Sequence, residues 1–288
     1  MAVRPHRAVT LDPRLNPIRD DLAAATLRGT VDRPRYADGE PATITAPLVP
    51  VFGKPDGTAR VTEFLRGEPV TIFDIAGGIA WAQSADDGYV GYIDAGTFAP
   101  STLPPTHRVP VPSALVFDGP SIRARLMGTL PLSARVAVVE TLPGGDTFHR
   151  LSDETFVLDQ HLAPVAEAAD DPVTLAERFT GAPYLWGGKS VAGLDCSALV
   201  QLAFGAAGIP CPRDSDMQEA LGTAVPPEAI ARGDLVFWKG HVGIMTDEKT
   251  LLHANGHHMM TMAEPLETAA HRLAAKNLPI TAIRRFLS

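Results

Sequence analysis

The sequence predicts an α+β fold in which two small β-barrels precede a domain of mixed helices and strands. Short β runs separated by turn signals fill residues 44–98, and a weaker copy of this pattern follows. From about Asp171 onward, helical patterns are followed by an antiparallel succession of strands. The chain has 288 residues, of which 45% are hydrophobic, so it can bury the cores that this organisation requires.

The charge balance excludes several classes of partner. The formal net charge is −8, which argues against a nucleic-acid binder and against a basic surface for anionic lipid. Residues 1–7 are basic, but charged residues from Asp12 to Asp21 interrupt any apolar stretch after them. We therefore expect no secretory signal, no membrane span and a cytoplasmic location.

The first 42 residues form an N-terminal arm that we expect to pack on or between the domains. Within it, the apolar spacing over Arg19–Leu27 predicts a short amphipathic helix. The first barrel is predicted over residues 43–104. Its clearest strands are Leu48–Phe52, Val70–Phe73 and Gly91–Ile93, which alternate with glycine-containing turns.

A second barrel is predicted over residues 105–165 because four segments echo the first in the same order. The echoing segments are Leu115–Phe117, Arg135–Val139, Phe148–Leu151 and Thr155–Val157.

The remaining residues, 166–288, carry the helices and the strand succession. We predict helices over Val173–Phe179 and Asp195–Ala207, joined through a loop at Tyr184–Gly188. The predicted strands are Leu235–Trp238, His241–Thr246, Thr250–Ala254 and a last one near Ile280–Phe286.

Cys196 is the candidate nucleophile. It lies at the start of a predicted helix, where Asp195 is a suitable N-cap. Unpaired backbone N–H groups and the positive end of the helix dipole favour a thiolate there, so we expect a depressed pKa. A buried structural cysteine is the common alternative. Cys211 lies between two prolines and is interpreted as a small apolar residue that fills space. The alternative interpretation is a structural disulfide between Cys196 and Cys211.

His241 is the candidate general base, because it follows the cysteine in the chain and opens a strand between Gly240 and Gly243. His253 and Asn255 share one face of the next strand, and either could orient the His241 ring. Spacing alone does not choose between them. A zinc site that uses both cysteines is possible by composition but fits no closed ligand spacing, so no metal or cofactor is expected.

Five motifs in this part of the chain resemble the NlpC-type cell-wall peptidases, a papain-like family of cysteine enzymes. They are Tyr184–Gly188, Leu194–Ser197, Pro212–Ser215, Arg232–Phe237 and Gly240–Ile244. The resemblance covers residues 171–288 and implies that His253 rather than Asn255 is the third catalytic residue. The segment Asp87–Tyr92 is similar to bacterial SH3-like barrels, so the whole chain resembles γ-D-glutamyl-diamino-acid endopeptidases of murein recycling.

The resemblance also implies a substrate and its binding residues. The substrate is a murein peptide with a free N-terminal L-Ala, cut between γ-D-Glu and the diamino acid. The residues expected to bind it are Tyr184, Trp186, Ser197, Asp214 and Ser215 from the peptidase domain and Glu63 and Tyr89 from the first barrel. An ammonium group needs carboxylates beside it, and Asp214 with Glu63 would supply them.

Two other functions remain open at this point. The same fold can serve an amidase or acyltransferase acting on another amide. Alternatively, the barrels could bind cell-wall peptide beside an inactive hydrolase domain, although the presence of both Cys196 and His241 argues against this.

Overall fold

The computed structural model describes residues 11–100 and 103–286, which form two β domains followed by an α+β domain. The predicted fold class is therefore confirmed. Residues 1–10 of the predicted arm lie outside the described residues. Within the described ranges, no helix has the length and apolar character that a membrane span requires.

The N-terminal arm does not form the predicted helix. Strand β1, Leu22–Ala24, pairs in parallel with β2, Arg35–Ala37, and a short 3-10 turn follows at Ala25–Leu27. All three residues of β1 are buried, and Leu22 packs in a cluster with Trp81 of the first β domain. The prediction was wrong because a helix this short is marginal on its own, and packing against the neighbouring domain selected an extended conformation.

The first β domain is a seven-stranded antiparallel sheet in the order β5-β4-β8-β7-β6-β3-β9. Val49 and Val51 of β4 are buried at alternate positions, as expected for a strand with one face on a core. The strands are β3 Glu40–Ile44, β4 Leu48–Phe52, β5 Arg60–Leu65, β6 Pro69–Ala76, β7 Ile79–Ser84, β8 Val90–Asp94 and β9 Phe98–Ala99.

The second β domain has a five-stranded sheet, β12-β11-β16-β15-β14, and a three-stranded sheet, β13-β10-β17. The run predicted as one strand at Arg135–Val139 is divided between both sheets. The strands are β10 His107–Arg108, β11 Ser113–Phe117, β12 Leu126–Pro131, β13 Arg135–Val136, β14 Val138–Leu142, β15 Phe148–Leu151, β16 Phe156–Leu158 and β17 Ala163–Pro164.

The third domain packs helix α2 against a six-stranded antiparallel sheet, β20-β25-β21-β22-β23-β24. Ten of the eleven α2 residues are buried, so this helix is a core element whose position is fixed on all sides. The elements are α1 Pro172–Glu177, β18 Lys189–Ser190, β19 Gly193–Leu194, α2 Cys196–Ala206, α3 Ser215–Glu219, β20 Thr223–Ala224, β21 Leu235–Trp238, β22 His241–Met245, β23 Thr250–Asn255, β24 Met260–Pro265, α4 Leu266–Ala274 and β25 Ile280–Arg285.

The two β domains meet where the turn at Gly67 touches Arg135. The Arg135 amide donates to the carbonyl of Arg66 at 2.8 Å. Gly67 has a φ of +78°, and a Cβ at this position would lie 2.3 Å from the Arg135 carbonyl oxygen. Only a glycine allows this approach, because both the conformation and the space exclude a side chain.

We predict that Gly67→Ala destabilises the protein more than Gly77→Ala. Both glycines have positive φ, but a Cβ at Gly77 meets no heavy atom within 4 Å. Gly77→Ala should therefore cost only the conformational penalty of about 1 kcal/mol, while Gly67→Ala adds a backbone clash between the domains. Denaturant unfolding of both variants measures the difference, and equal midpoints would contradict the described contact.

Candidate active site

Cys196 is the first residue of α2, as predicted. Asp195 has an extended conformation, and its side chain accepts a hydrogen bond from the Ala198 amide at 2.9 Å, which makes it the N-cap. The Cys196 side chain is buried against the core beneath the helix. Cys196 packs in one core cluster with Val242, the residue after His241, so α2 and β22 lie together beside the sulfur.

Asp195 also forms a buried bidentate ion pair with Arg213. Arg213 Nη1 lies 2.9 Å from Asp195 Oδ1 and Nη2 lies 2.7 Å from Oδ2, and the arginine is only 1% exposed. Its Nε donates to the hydroxyl of Thr62 in the first β domain at 2.7 Å. One guanidinium therefore connects the cap of the cysteine helix to the neighbouring domain.

The Asp195 carboxylate also holds the loop Tyr184–Gly188 in place. The Gly187 amide donates to Asp195 Oδ2 at 2.9 Å. Gly187 has a φ of +73°, and a Cβ there would lie 2.9 Å from Cγ of Arg60 and 3.1 Å from the backbone of Val61. The loop consequently rests directly on β5, and a glycine is needed for that approach.

Two histidines and two charged residues form a hydrogen-bonded chain on the sheet. His241 Nε2 lies 2.8 Å from His253 Nδ1, and His253 Nε2 lies 2.7 Å from Glu264 Oε1. Arg272 of α4 donates to both Glu264 oxygens, with a distance of 2.7 Å from Nη1 to Oε2. The structure thus brings His253 to His241, as the family resemblance implies.

Asn255 makes no hydrogen bond with the His241 ring. Its side-chain oxygen accepts hydrogen bonds from the amides of His257 and His258 in the following turn. Gly243 lets β23 pack closely on this face, because a Cβ there would lie 2.6 Å from Cδ1 of Leu251 and 3.1 Å from Cβ of His253. The geometry therefore favours His253 over Asn255 as the orienting group.

The hydrogen-bond chain assigns the histidine tautomers. Glu264 accepts only, so His253 donates from Nε2 and its Nδ1 carries a lone pair. His241 must then donate from Nε2 to His253, which leaves the Nδ1 lone pair of His241 available as a base. Hydrogen bonding by Arg272 lowers the pKa of Glu264 to about 2, so this carboxylate stays charged near neutral pH.

The protonation state of the cysteine differs from the expectation. Burial raises the pKa of the Cys196 thiol to about 12, and the Asp195 carboxylate acts in the same direction, against the hydrogen bonds from the Val242 and Ser197 amides. Burial also lowers the pKa of His241 to about 3, with a further contribution from His253. The predicted depressed thiol pKa was wrong, because desolvation outweighs the helix terminus. The site therefore holds a neutral thiol and a neutral imidazole.

A cleft of about 390 Å³ opens at Cys196 between the first β domain, the N-terminal arm and the third domain. Trp186 forms part of the cleft wall, and this residue is 66% exposed. All the predicted binding residues except Glu63 line this cleft. Its lining is Arg14, Val61, Tyr89, Tyr184, Trp186, Asp195, Cys196, Ser197, Asp214, Ser215, Asp216, Lys239 and Gly240.

Glu63 does not face the cleft, which corrects the expectation that it meets the substrate amine. The side chain is buried, with Oε2 accepting from the Lys189 amide at 2.7 Å and Oε1 from Arg60 at 2.6 Å. A β-bulge at Val61 interrupts the alternation of β5, so Val61 lines the cleft while Glu63, two residues further on, points toward the third domain. Glu63 therefore joins the domains.

The carboxylate of Asp214 is shared between the first β domain and the arm. Tyr89 donates its hydroxyl to Asp214 Oδ2 at 3.1 Å, and Arg14 Nη1 lies 2.8 Å from the same oxygen. Arg14 also contacts Asp216 at 2.8 Å and Asp12 at 2.7 Å. Three carboxylates surround one guanidinium, so the cluster keeps an excess of negative charge.

Arg14 and Glu264 are site residues that the sequence reasoning missed. Arg14 reaches Asp214 across 200 positions of sequence, and no local pattern signals that contact. Glu264 had a signal: β23 and β24 pair with His253 opposite Met262, which places Glu264 diagonally beside His253 on the same face. Cys196 and Cys211 are both free thiols, so the alternative disulfide is not formed.

Comparisons with known proteins match the third domain and the first β domain to described families. The NlpC/P60 family model matches residues 181–274, and that of the bacterial dipeptidyl-peptidase Sh3 domain matches residues 51–96. The chain is 29% identical over 241 residues to a gamma-D-glutamyl-L-lysine dipeptidyl-peptidase of Bacillus cereus, covering 73% of this chain and 72% of the relative. It is 33% identical over 142 residues to a probable endopeptidase of Corynebacterium glutamicum, covering 43% of this chain and 68% of the relative.

A solved structure supports the fold. The crystal structure of an NlpC/P60 family protein from Bacillus cereus superposes with a TM-score of 0.73 at 20% identity, over 86% of this chain and 100% of the other. A likeness at this identity shows the architecture that the two proteins share.

We predict that alkylation of Cys196 by iodoacetamide accelerates steadily as the pH rises above neutrality, because burial keeps the thiol protonated. The experiment uses Cys211→Ala protein, followed by intact-protein mass spectrometry across a pH series. The double variant that also carries Cys196→Ala is the control and should stay unmodified. A reactivity plateau at mildly acidic pH would show a preformed thiolate–imidazolium pair and contradict the neutral site.

Proposed function

The chain belongs to the NlpC/P60 family, and we propose that it is a cysteine endopeptidase that hydrolyses the γ-D-glutamyl–diamino-acid bond of murein peptides with a free N-terminal L-Ala. The observation that carries the proposal is that the candidate nucleophile shares one cleft with an acidic cluster. Cys196 lies in the same cleft as Asp214 and Asp216, so a peptide can place its amine on the carboxylates and its scissile carbonyl at the sulfur.

In the proposed mechanism, His241 Nδ1 takes the proton of the Cys196 thiol as the sulfur attacks the γ-glutamyl carbonyl carbon. Charge develops on the carbonyl oxygen, and the Cys196 amide at the start of α2 is the natural donor to it. His241 then returns the proton to the departing amine of the diamino acid, which leaves a thioester on Cys196. Water, deprotonated by His241, hydrolyses the thioester and regenerates the thiol.

Glu264 is a positioning residue in this mechanism. It holds His253 in the tautomer that accepts from His241, and its negative charge stabilises the imidazolium that forms during proton transfer. Arg272 in turn fixes Glu264 with two hydrogen bonds. His241 can therefore act as the base without a change in the protonation state of Glu264 or Arg272.

The cleft has charges of both signs, as a peptide with one amine and several carboxylates requires. Asp214 and Asp216 offer the excess negative charge for the L-Ala ammonium, with Tyr89 and Arg14 holding Asp214 in place. Lys239, beside Gly240, is a cation of the same cleft. An acylated amine would lose the charged hydrogen bonds and leave the excess negative charge of the cluster without a counter-ion.

A requirement for a free amine also implies that another reaction comes before this one. In intact wall the L-Ala nitrogen is bound in an amide, so an amide-hydrolysing reaction must act first to release the peptide. We therefore propose a role in recycling of released peptides, and a cytoplasmic location follows from that role as part of the proposal.

We predict that Glu264→Gln lowers kcat by about 10- to 100-fold with little change in KM, because the orientation and charge behind the base are lost while the cleft is untouched. Steady-state kinetics on the tripeptide measure the split. Glu267→Gln, an exposed position in the first turn of α4, is the matched control and should remain at the wild-type rate. A fall in KM alone, or no change in kcat, would contradict the positioning role.

We predict that the wild-type enzyme prefers L-Ala-γ-D-Glu-diaminopimelate over its N-acetylated form by about a hundredfold or more in kcat/KM. Asp214→Asn should lose most of its activity on the free peptide and little on the acetylated one. The two peptides are compared at equal concentration by quantifying the released diamino acid. Equal cleavage of both by the wild-type enzyme would refute recognition of the amine while leaving the peptidase chemistry intact.

A further inference from the structure

Lys239 is a cation of the active-site cleft to which the proposed mechanism gives no role. It lies in the tight turn between β21 and β22, where Trp238 pairs with His241. Gly240, the second residue of this turn, has a φ of +74°, a conformation that glycine adopts readily. The turn therefore holds Lys239 at the same end of the strand pair as the base, and Lys239 lines the cleft.

Among the described residues that line the cleft, Lys239 is the cation without an acid partner. The other cation is Arg14, whose guanidinium lies 2.8 Å from Asp214, 2.8 Å from Asp216 and 2.7 Å from Asp12. Within the described ranges, no acid forms an ion pair with Lys239. Lys239 is exposed, so its ammonium is free to meet an anionic group of a bound molecule.

The cleft also contains an excess of negative charge. The carboxylates around Arg14 outnumber its single positive charge. Asp195 lines the cleft as well, but Arg213 neutralises it. One cleft thus combines a net acidic cluster, the nucleophile Cys196 and the uncompensated ammonium of Lys239. A ligand that complements both charges must carry a positive and a negative group.

The proposed substrate has these two groups on the part that the cleft must hold. Its ammonium lies on the carboxylates of Asp214 and Asp216, and its scissile γ-carbonyl lies at the sulfur of Cys196. L-Ala and D-Glu connect these two points. The anionic group on this stretch is the α-carboxylate of D-Glu, which is a short methylene chain away from the γ-carbonyl. The diamino acid begins only beyond the scissile bond.

We propose that Lys239 binds the α-carboxylate of D-Glu and makes the enzyme selective for peptides in which this group is not amidated. The inference rests on the proposed function for the identity of the peptide. An ammonium forms charge-assisted hydrogen bonds with a carboxylate, whereas a carboxamide offers it a neutral oxygen and an NH2 group that only donates. Because Lys239 is exposed, water screens the pair, and the selectivity is smaller than a buried ion pair would give.

Two tripeptides test the selectivity. One is L-Ala-γ-D-Glu-diaminopimelate, and the other is the same peptide with a carboxamide in place of the D-Glu α-carboxylate. Both have the same free amine and the same scissile bond. The wild-type enzyme should prefer the carboxylate form by about fivefold or more in kcat/KM, and the preference should shrink as the ionic strength rises. Equal kcat/KM values, or a preference for the carboxamide, would overturn the proposal.

Variants assign the preference to one side chain. Lys239→Met keeps a long side chain but removes the charge, so the preference should fall to about one, whereas Lys239→Arg should retain most of it. Lys249→Met is the matched control, because Lys249 is an exposed lysine in the turn at the other end of β22. A preference that survives in Lys239→Met, or that disappears in Lys249→Met, would refute the role of Lys239.

A second pair of peptides distinguishes the two carboxylates beside the scissile bond. L-Ala-γ-D-Glu-L-Lys and its C-terminal amide differ only in the carboxylate of the leaving residue. Lys239→Met should lower kcat/KM by the same factor with both peptides, because both retain the D-Glu α-carboxylate. A loss that occurs with the free acid and disappears with the amide would assign Lys239 to the leaving residue and contradict the proposal.

Binding to Cys196→Ala protein separates this proposal from the peptidase function. In calorimetric titrations of the full-length variant, the carboxylate tripeptide should bind about fivefold more tightly than the carboxamide, and adding Lys239→Met should remove the difference. If this difference is found and the wild-type protein cleaves neither peptide, the peptidase function fails and the carboxylate site stands. If both peptides are cleaved at one rate and bound with one affinity, the carboxylate site fails and the peptidase function stands.

Discussion

Beneath the nucleophile, both oxygens of Asp195 meet two nitrogens of Arg213 in a buried bidentate pair. The same carboxylate caps α2 and receives the Gly187 amide of the cleft loop, while the guanidinium reaches Thr62 in the first β domain. The nucleophile helix, the wall of the cleft and the neighbouring domain thus depend on one ion pair. Removing one partner of such a pair leaves a buried charge and typically costs about 3–5 kcal/mol.

Burial also sets the chemistry of the site. Desolvation disfavours the thiolate at Cys196 and the imidazolium at His241, so the free enzyme holds both groups neutral. Because His241 starts neutral, the hydrogen bonds from His241 to His253 and from His253 to Glu264 have two roles. They orient the His241 ring, and they stabilise its positive charge once it has taken the thiol proton. Arg272 keeps Glu264 ionised, so the charge that the transition state needs is already in place.

Local signals made much of the third domain predictable from the sequence. Asp195 as a cap predicted the start of α2, and the strand over Leu235–Trp238 has the predicted bounds. Long-range packing decided the rest. The Arg19–Leu27 segment became extended because Leu22 packs on the first β domain, and hydrogen bonds with Arg60 and the Lys189 amide hold Glu63 at an interface instead of the cleft. Burial raises the pKa of the Cys196 thiol, and the order of residues does not show how deeply a side chain is buried.

The central claim is that this cleft directs Cys196 to one bond of a murein peptide. The most direct measurement is mass spectrometry of the products formed from L-Ala-γ-D-Glu-diaminopimelate, with Cys196→Ala protein in parallel. Our account predicts L-Ala-γ-D-Glu and free diaminopimelate from the wild type and intact peptide from the variant. Release of free L-alanine, or the same products from Cys196→Ala protein, would contradict it.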